Sequence, residues 1–239
     1  VFTKDQLQVI CDMVLEENNS RRPDEKPLYL MYDQIYSALT FGENHHYDPV
    51  SLCPDLRPYT IFVDGLSKSI AATGIRVGWA FGPVNVIDKM KSILSHVGAW
   101  SPKAEQVAAG RFMANTEAVT SYMTHFKKEV EDRLHAFYDG FTDMHNVGLG
   151  VRCIEPMAAI YLTVQFDLKG KKTADGKVLA TAEDITAFIL NEAKMAIVPF
   201  AAFGASKDST WYRLSVGTCK KELIPSMLET LRTALSSLS

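Results

Sequence analysis

The sequence has few cysteines and no long apolar run. Its four cysteines, Cys11, Cys53, Cys153 and Cys219, lie far apart and form no Cys-x-x-Cys pair. That spacing reads as structural thiols in a reducing, cytoplasmic compartment. No stretch approaches the roughly 20 apolar residues of a membrane-spanning helix. The opening residues, VFTKDQLQVI, lack a basic segment followed by an apolar core, so no secretory signal is expected. Charge of one sign is not in excess: 25 Lys and Arg stand against 28 Asp and Glu, a net charge of -3. This excludes a basic footprint for nucleic acid and an acidic disordered tail. The dinucleotide pattern Gly-x-Gly-x-x-Gly and the nucleophile turn Gly-x-Ser-x-Gly are absent. His45, His46 and Asp48 do not fit a metal-ligand spacing, so no metal is expected.

What is present reads as an α/β chain of two parts. Thr3 and Gln6 form a capping box ahead of a helix with Leu7, Ile10, Cys11 and Val14 on one face. Apolar runs at 28–32, 59–63 and 76–81 predict three buried strands. Between the first two, 41–58 reads as a polar loop with prolines. Pro83 at a first helical position predicts a helix to about Ser95, and another follows from Pro102. A long helix is expected from Glu117 to Asp143, with a length suited to connecting two lobes. Beyond it, strands are expected at 160–166, 196–199 and 211–216, with helices at 182–193 and 221–235. Glu131, Asp132 and Arg133 read as a solvated helix face. The expected division is 1–128 and 129–239, the second part being a smaller α+β unit.

Three segments carry chemistry. In VDGLSKSIAATGIRVGWAF, residues 63–81, Lys68 sits among small and apolar residues with Arg76 eight places on. Partial burial of a lysine lowers its pKa, and a neutral amine attacks carbonyls to form a Schiff base. The small neighbours leave room for a flat ring, and an arginine suits a phosphate. Together they point to pyridoxal phosphate. In MYDQIY, residues 31–36, Asp33 follows an apolar strand, where ligands of open α/β sheets bind. Its carboxylate can pair with a protonated pyridine nitrogen, and Tyr36 can donate to the ring oxygen. In WYRLSVG, residues 211–217, Arg213 lies inside an apolar strand and needs an anionic partner, such as a substrate carboxylate. Each segment also has a plain structural reading: surface charges at Lys68 and Arg76, a helix-capping Asp33 with a core Tyr36, and a structural ion pair at Arg213.

The run Gly65-Leu66-Ser67-Lys68, continued by Ala71-Ala72-Thr73-Gly74-Ile75-Arg76-Val77-Gly78, resembles the cofactor-lysine signature of class I, aspartate-aminotransferase-like, fold-type-I pyridoxal phosphate enzymes. MYDQIY resembles the family's Asp-x-x-Tyr element, and WYRLSVG its carboxylate-binding arginine strand. The resemblance implies part of a large cofactor-binding domain, with a mostly parallel sheet and flanking helices, followed by a smaller α+β domain. It implies an aminotransferase that moves an amino group from an amino acid to a 2-oxo acid and works as a homodimer. Lys68 would carry the cofactor and shuttle the proton, Asp33 would hold the ring nitrogen, Tyr36 the ring oxygen and Arg76 the phosphate, with Ser67 a further phosphate contact. Arg213 would take the substrate α-carboxylate.

Departures accompany the likeness. The chain is expected to lack the family's N-terminal part and so, by itself, to be inactive. Phe200 stands where the similar Val-Pro-Gly-x-x-Phe-Gly loop has glycine, and Ala158 where Pro-x-Gly-Ala-Phe-Tyr has glycine. No arginine occurs in 96–102, where dicarboxylate-specific members place one. Two other readings share these motifs: a same-fold lyase or synthase, and an effector domain of a transcription regulator.

Overall fold

The capping box forms as expected. In the computed structural model, which describes residues 1–239, the Thr3 hydroxyl accepts the Gln6 amide while Gln6 Oε1 accepts the Thr3 N–H at 3.0 Å. This starts α1 (Lys4–Ser20). Its buried face, Leu7, Cys11 and Val14, packs on Tyr32, Leu56 and Phe62. The chain divides into two compact units, Val1–Phe126 and Lys127–Ser239.

The first unit holds a three-stranded sheet of β1 (Leu30–Asp33), β2 (Thr60–Gly65) and β3 (Gly78–Phe81). β1 and β2 are parallel, with Leu30 opposite Thr60 and Asp33 opposite Val63. β3 runs antiparallel to β2, with Gly65 opposite Gly78. The third strand therefore begins two residues later than its apolar pattern predicts, and it is only partly buried. Arg76 has a left-handed backbone, φ 58°, which ends a turn and cannot continue a strand. The expected loop at 41–58 contains α2 (Pro49–Leu52), whose N-terminus Asp48 caps through the Val50 and Ser51 amides. Four further helices follow: α3 (Leu66–Ser69), α4 (Val84–Val97), α5 (Lys103–Ala114) and α6 (Thr116–Asn146). Pro83 precedes α4 rather than opening it, and Gly98 closes it at φ 65°.

The second unit is built on an antiparallel sheet with strand order β4 (Val151–Cys153), β5 (Tyr161–Phe166), β7 (Trp211–Ser215), β6 (Val198–Pro199). Leu162, Val164 and Phe166 alternate into the core with Tyr212 and Leu214. The α6 stripe Val130, Leu134, Phe137, Phe141 and Met144 meets that core at helical spacing. Phe141 stands edge-on to Phe166 at 6.3 Å, and Phe166 to Tyr212 at 5.8 Å. α7 (Ala182–Ala193), capped by Thr181 and Asp184, and α8 (Ile224–Ser236) complete it. β4 has too few residues to show a pattern in the sequence.

The expected solvated face at Glu131, Asp132 and Arg133 is corrected. Arg133 Nε donates to the Cys219 carbonyl at 2.9 Å, and Lys221 pairs with Asp132 and Glu129. These charges tie α6 to the segment that enters α8. No helix is long and apolar enough to cross a membrane.

Candidate active site

Parallel pairing of β1 and β2 sets their carboxyl ends side by side. Asp33 ends β1 and is exposed, and its carboxylate accepts the Ile35 N–H at 3.0 Å, which starts the turn that carries Tyr36. That turn continues through Ser37 N–H to Gln34 O and Leu39 N–H to Tyr36 O, leaving Tyr36 half-buried. Gln34 N–H donates to Val63 O at 2.9 Å, extending the strand pairing to the point where β2 gives way to the lysine turn.

Lys68 sits half-buried in α3, directly after β2. Four bonds hold this turn. Leu66 N–H donates to Val77 O at 3.1 Å and Ala72 N–H to Leu66 O at 3.2 Å. Ser69 Oγ donates to Gly65 O at 3.1 Å, and the Tyr122 phenol to Ile70 O at 2.9 Å. Burial raises the Tyr122 phenol above its usual pKa, so it stays a donor across the neutral range. At the root of the turn, Gly65 and Gly78 face each other. A Cβ on Gly65 would lie 3.1 Å from the Gly78 Cα, and one on Gly78 would lie 3.0 Å from the Asp64 carbonyl oxygen. Only glycine permits β2 and β3 to approach so closely here.

Two non-glycine residues with left-handed backbones, Ala71 (φ 52°) and Arg76 (φ 58°), bend the chain after Lys68. Such conformations cost on the order of 1–3 kcal/mol each and gather at ligand sites. Arg76 is exposed, and its Nη1 donates to Thr73 O at 3.0 Å. The ion pairs of the first unit lie elsewhere, at Arg21, Arg22 and Lys91, and none engages Lys68 or Arg76.

Arg213 belongs to the second unit. Tyr212 and Leu214 point into the core, so Arg213 points to the other face of the sheet, opposite Thr163 of β5 and Val198 of β6. Its guanidinium carbon lies 4.4 Å from the ring centre of Tyr161 and 4.4 Å from that of Phe203.

Asp33, Tyr36, Lys68 and Arg76 thus come from two adjacent strand ends and the turns that leave them. Sequence reasoning missed two partnerships. Gln34 Nε2 donates to Asp64 Oδ2 at 3.2 Å while Gly65 N–H donates to Asp64 Oδ1 at 2.6 Å, tying the Asp33 segment to the lysine turn. The two rings on Arg213 were equally hidden. Tyr161 and Phe203 lie in 156–161 and 197–204, the two segments that resemble family loops, but nothing in those segments signals a contact with the arginine.

The family description "Aminotransferase class I and II" matches residues 20–231. The aspartate aminotransferase of Geobacillus stearothermophilus is 28% identical over 218 residues, covering 91% of this chain and 50% of that protein. A probable aspartate/prephenate aminotransferase of Rickettsia prowazekii (strain Madrid E) is 30% identical over 196 residues, covering 81% of this chain and 46% of that protein. Among solved structures, the aspartate aminotransferase of Rhizobium meliloti superposes with a TM-score of 0.82 at 26% identity, over 100% of this chain and 55% of that one. The chain spans about half the length of the curated relatives it matches. With the match running through both units and the fold shared along its whole length, the chain belongs to the class I and II aminotransferase family.

Proposed function

We propose that the chain is the carboxyl-terminal part of a pyridoxal phosphate-dependent aminotransferase that moves an amino group from an amino acid to a 2-oxo acid. The observation that carries this reading is the position of Lys68, a half-buried residue in a glycine-rooted turn directly after a parallel strand whose neighbour ends in Asp33. Residues 1–128 belong, on this reading, to the cofactor-binding domain and 129–239 to the smaller domain.

The donor set fits the cofactor. It offers an amine, a carboxylate, a phenol and a guanidinium, one for each reactive group of pyridoxal phosphate. Lys68 would bind it covalently and move a proton at the substrate α-carbon. Asp33 would hold the pyridine nitrogen, Tyr36 the ring oxygen and Arg76 the phosphate, with Arg213 taking the substrate carboxylate. Bound there, the cofactor supplies an electron sink that stabilises a carbanion. The names of the relatives make aspartate the first amino donor to test. The reading includes a homodimeric, cytoplasmic parent, and four free cysteines fit a reducing compartment.

Borohydride reduction after incubation with pyridoxal phosphate, followed by peptide mapping, tests the assignment. Label at Lys68, lost in Lys68→Ala, supports it. Label spread over exposed lysines such as Lys89 and Lys103, with none at Lys68, overturns it.

A further inference from the structure

Two of the four cysteines, far apart in the sequence, come together outside the candidate site. Cys11 lies on the covered face of α1 and is fully buried, while Cys53 follows α2 and is half-buried. One carbonyl serves both: Pro49 O accepts the Cys53 N–H at 2.9 Å and the Cys11 thiol at 3.9 Å. Gln8, one turn before Cys11 on α1, holds the second sulfur. Its Nε2 donates to Cys53 Sγ at 2.9 Å and to Asp12 Oδ1 at 2.8 Å. Cys53 also packs on the cluster that contains Leu7, Cys11 and Leu56. The thiols act on each other. Burial first, then the charge and hydrogen bonding of Cys53, pushes the Cys11 thiol up to about 12. The other two cysteines belong to the second unit and have their own neighbours: Cys153 donates to Ile154 O at 3.4 Å, and Cys219 lies 3.6 Å from Met227 Sδ.

A disulfide forms only where the backbone already brings two side chains to one place, and here α1 and the start of α2 do so. We propose that Cys11 and Cys53 form a reversible dithiol–disulfide switch, open under reducing conditions and closed by a low-molecular-weight disulfide such as oxidised glutathione. Cys53, the accessible member, attacks one sulfur of the oxidant as a thiolate. A mixed disulfide forms and one reduced glutathione leaves. Cys11 then gives up its proton and attacks the Cys53 sulfur, the bond from Cys53 to glutathione breaks, and the second glutathione leaves as a thiol. The protein loses two electrons and two protons, and one oxidised glutathione becomes two reduced ones. The buried, rarely ionised Cys11 makes the second step the slow one. The bond fastens α1 to α2 and to the 3-10 turn Pro54–Leu56. It closes a loop that contains β1 and Asp33, so oxidation restrains the segment between the two strands that carry the candidate site.

Peptide mapping of the full chain without reduction tests this. The native protein is incubated with oxidised glutathione, alkylated and digested. The expected product joins the Cys11 and Cys53 peptides, weighs about 2 Da less than their sum, exceeds every other pairing at least about tenfold, and disappears with dithiothreitol. In urea the four cysteines should spread their links over the three possible pairings, which makes the native preference a property of the fold. Cys53→Ser should lose the link, and the double variant Cys153→Ser, Cys219→Ser should keep it. Amide exchange in α1 and in residues 49–56 should slow on oxidation and recover on reduction. A mixed disulfide that stays on Cys53, a dominant link to Cys153, Cys219 or a second chain, the same mixture in native and urea samples, loss of the link in the double variant, or unchanged exchange in both segments would each overturn the switch. Neither thiol belongs to the proposed cofactor site, so this link and the labelling of Lys68 stand or fall separately.

Discussion

The two units are of similar length but hold very different cores. Of the buried apolar side chains, ten lie in Val1–Phe126 and twenty-five in Lys127–Ser239. The large apolar side chains left exposed divide the other way, fourteen against seven. The second unit has an antiparallel sheet, which needs only one face covered. A parallel pair such as β1 and β2 is ordinarily covered on both faces. In the first unit α1 covers the face of Tyr32 and Phe62, while Met31 on the opposite face is 71% exposed. α4 has no buried residue at all. Between β2–β3 and the helices α4 and α5 runs an apolar groove of about 750 Å³, lined by Trp79, Ile87, Met90, Leu94, Trp100 and Met113 among others. The difference teaches that burial follows how the faces of a sheet are covered rather than chain length.

Five substitutions break or sharpen this contrast. Phe166 is fully buried at the centre of the second core. Phe166→Ala should cost about 3–5 kcal/mol and strip hydrogen-exchange protection from residues 127–239. Phe81 of the first unit stacks on Phe62 at 4.6 Å but is half-exposed, so Phe81→Ala should cost only about 1–1.5 kcal/mol. Equal losses in urea midpoint would end the comparison.

Even the well-filled core has one flaw. Tyr212 is fully buried with an unpaired hydroxyl, and burial pushes its pKa up to about 12. Tyr212→Phe removes a buried donor that has no partner, and thermal unfolding should show a gain of about 1 kcal/mol.

A pH effect of smaller size is expected at α7. Hydrogen bonds from Lys177 and Thr181 hold the Asp184 carboxyl at about 2. A depressed carboxylate stabilises the fold above its unfolded pKa, near 3.9, and that contribution disappears as pH falls through about 2. Urea midpoints of the wild type should therefore fall over this acid window, and those of Asp184→Asn should fall less. The smallest effect belongs to α4. Ile93 is 62% exposed, and Ile93→Gln should change stability by no more than about 0.5 kcal/mol. A larger loss would mean that α4 is packed after all.

How much could be read beforehand depended on how far apart the partners lie. α7 has the bounds that its apolar spacing predicts, because Ile185, Phe188 and Ile189 are helical neighbours. The Thr3 box needed only four residues. β3 was misplaced at its start because the backbone of Arg76 depends on how the turn closes against Val77 and Leu66. Asp132 looked solvated because Lys221, its partner, lies far along the chain. In the candidate site the lysine turn was legible from its small residues, but the Gln34–Asp64 tie and the rings on Arg213 were not.

The sequence by itself determined which chemical groups are present and which local turns carry them: an amine among small residues, a carboxylate at a strand end, a guanidinium in an apolar strand. Local backbone preference and side-chain periodicity are enough for that, since their partners lie within a turn or two. Only tertiary structure decided that Gly65 faces Gly78, that charges on α6 meet Lys221, and that Arg213 lies close to two aromatic rings. Those outcomes depend on packing between segments distant in the chain, which no local pattern encodes.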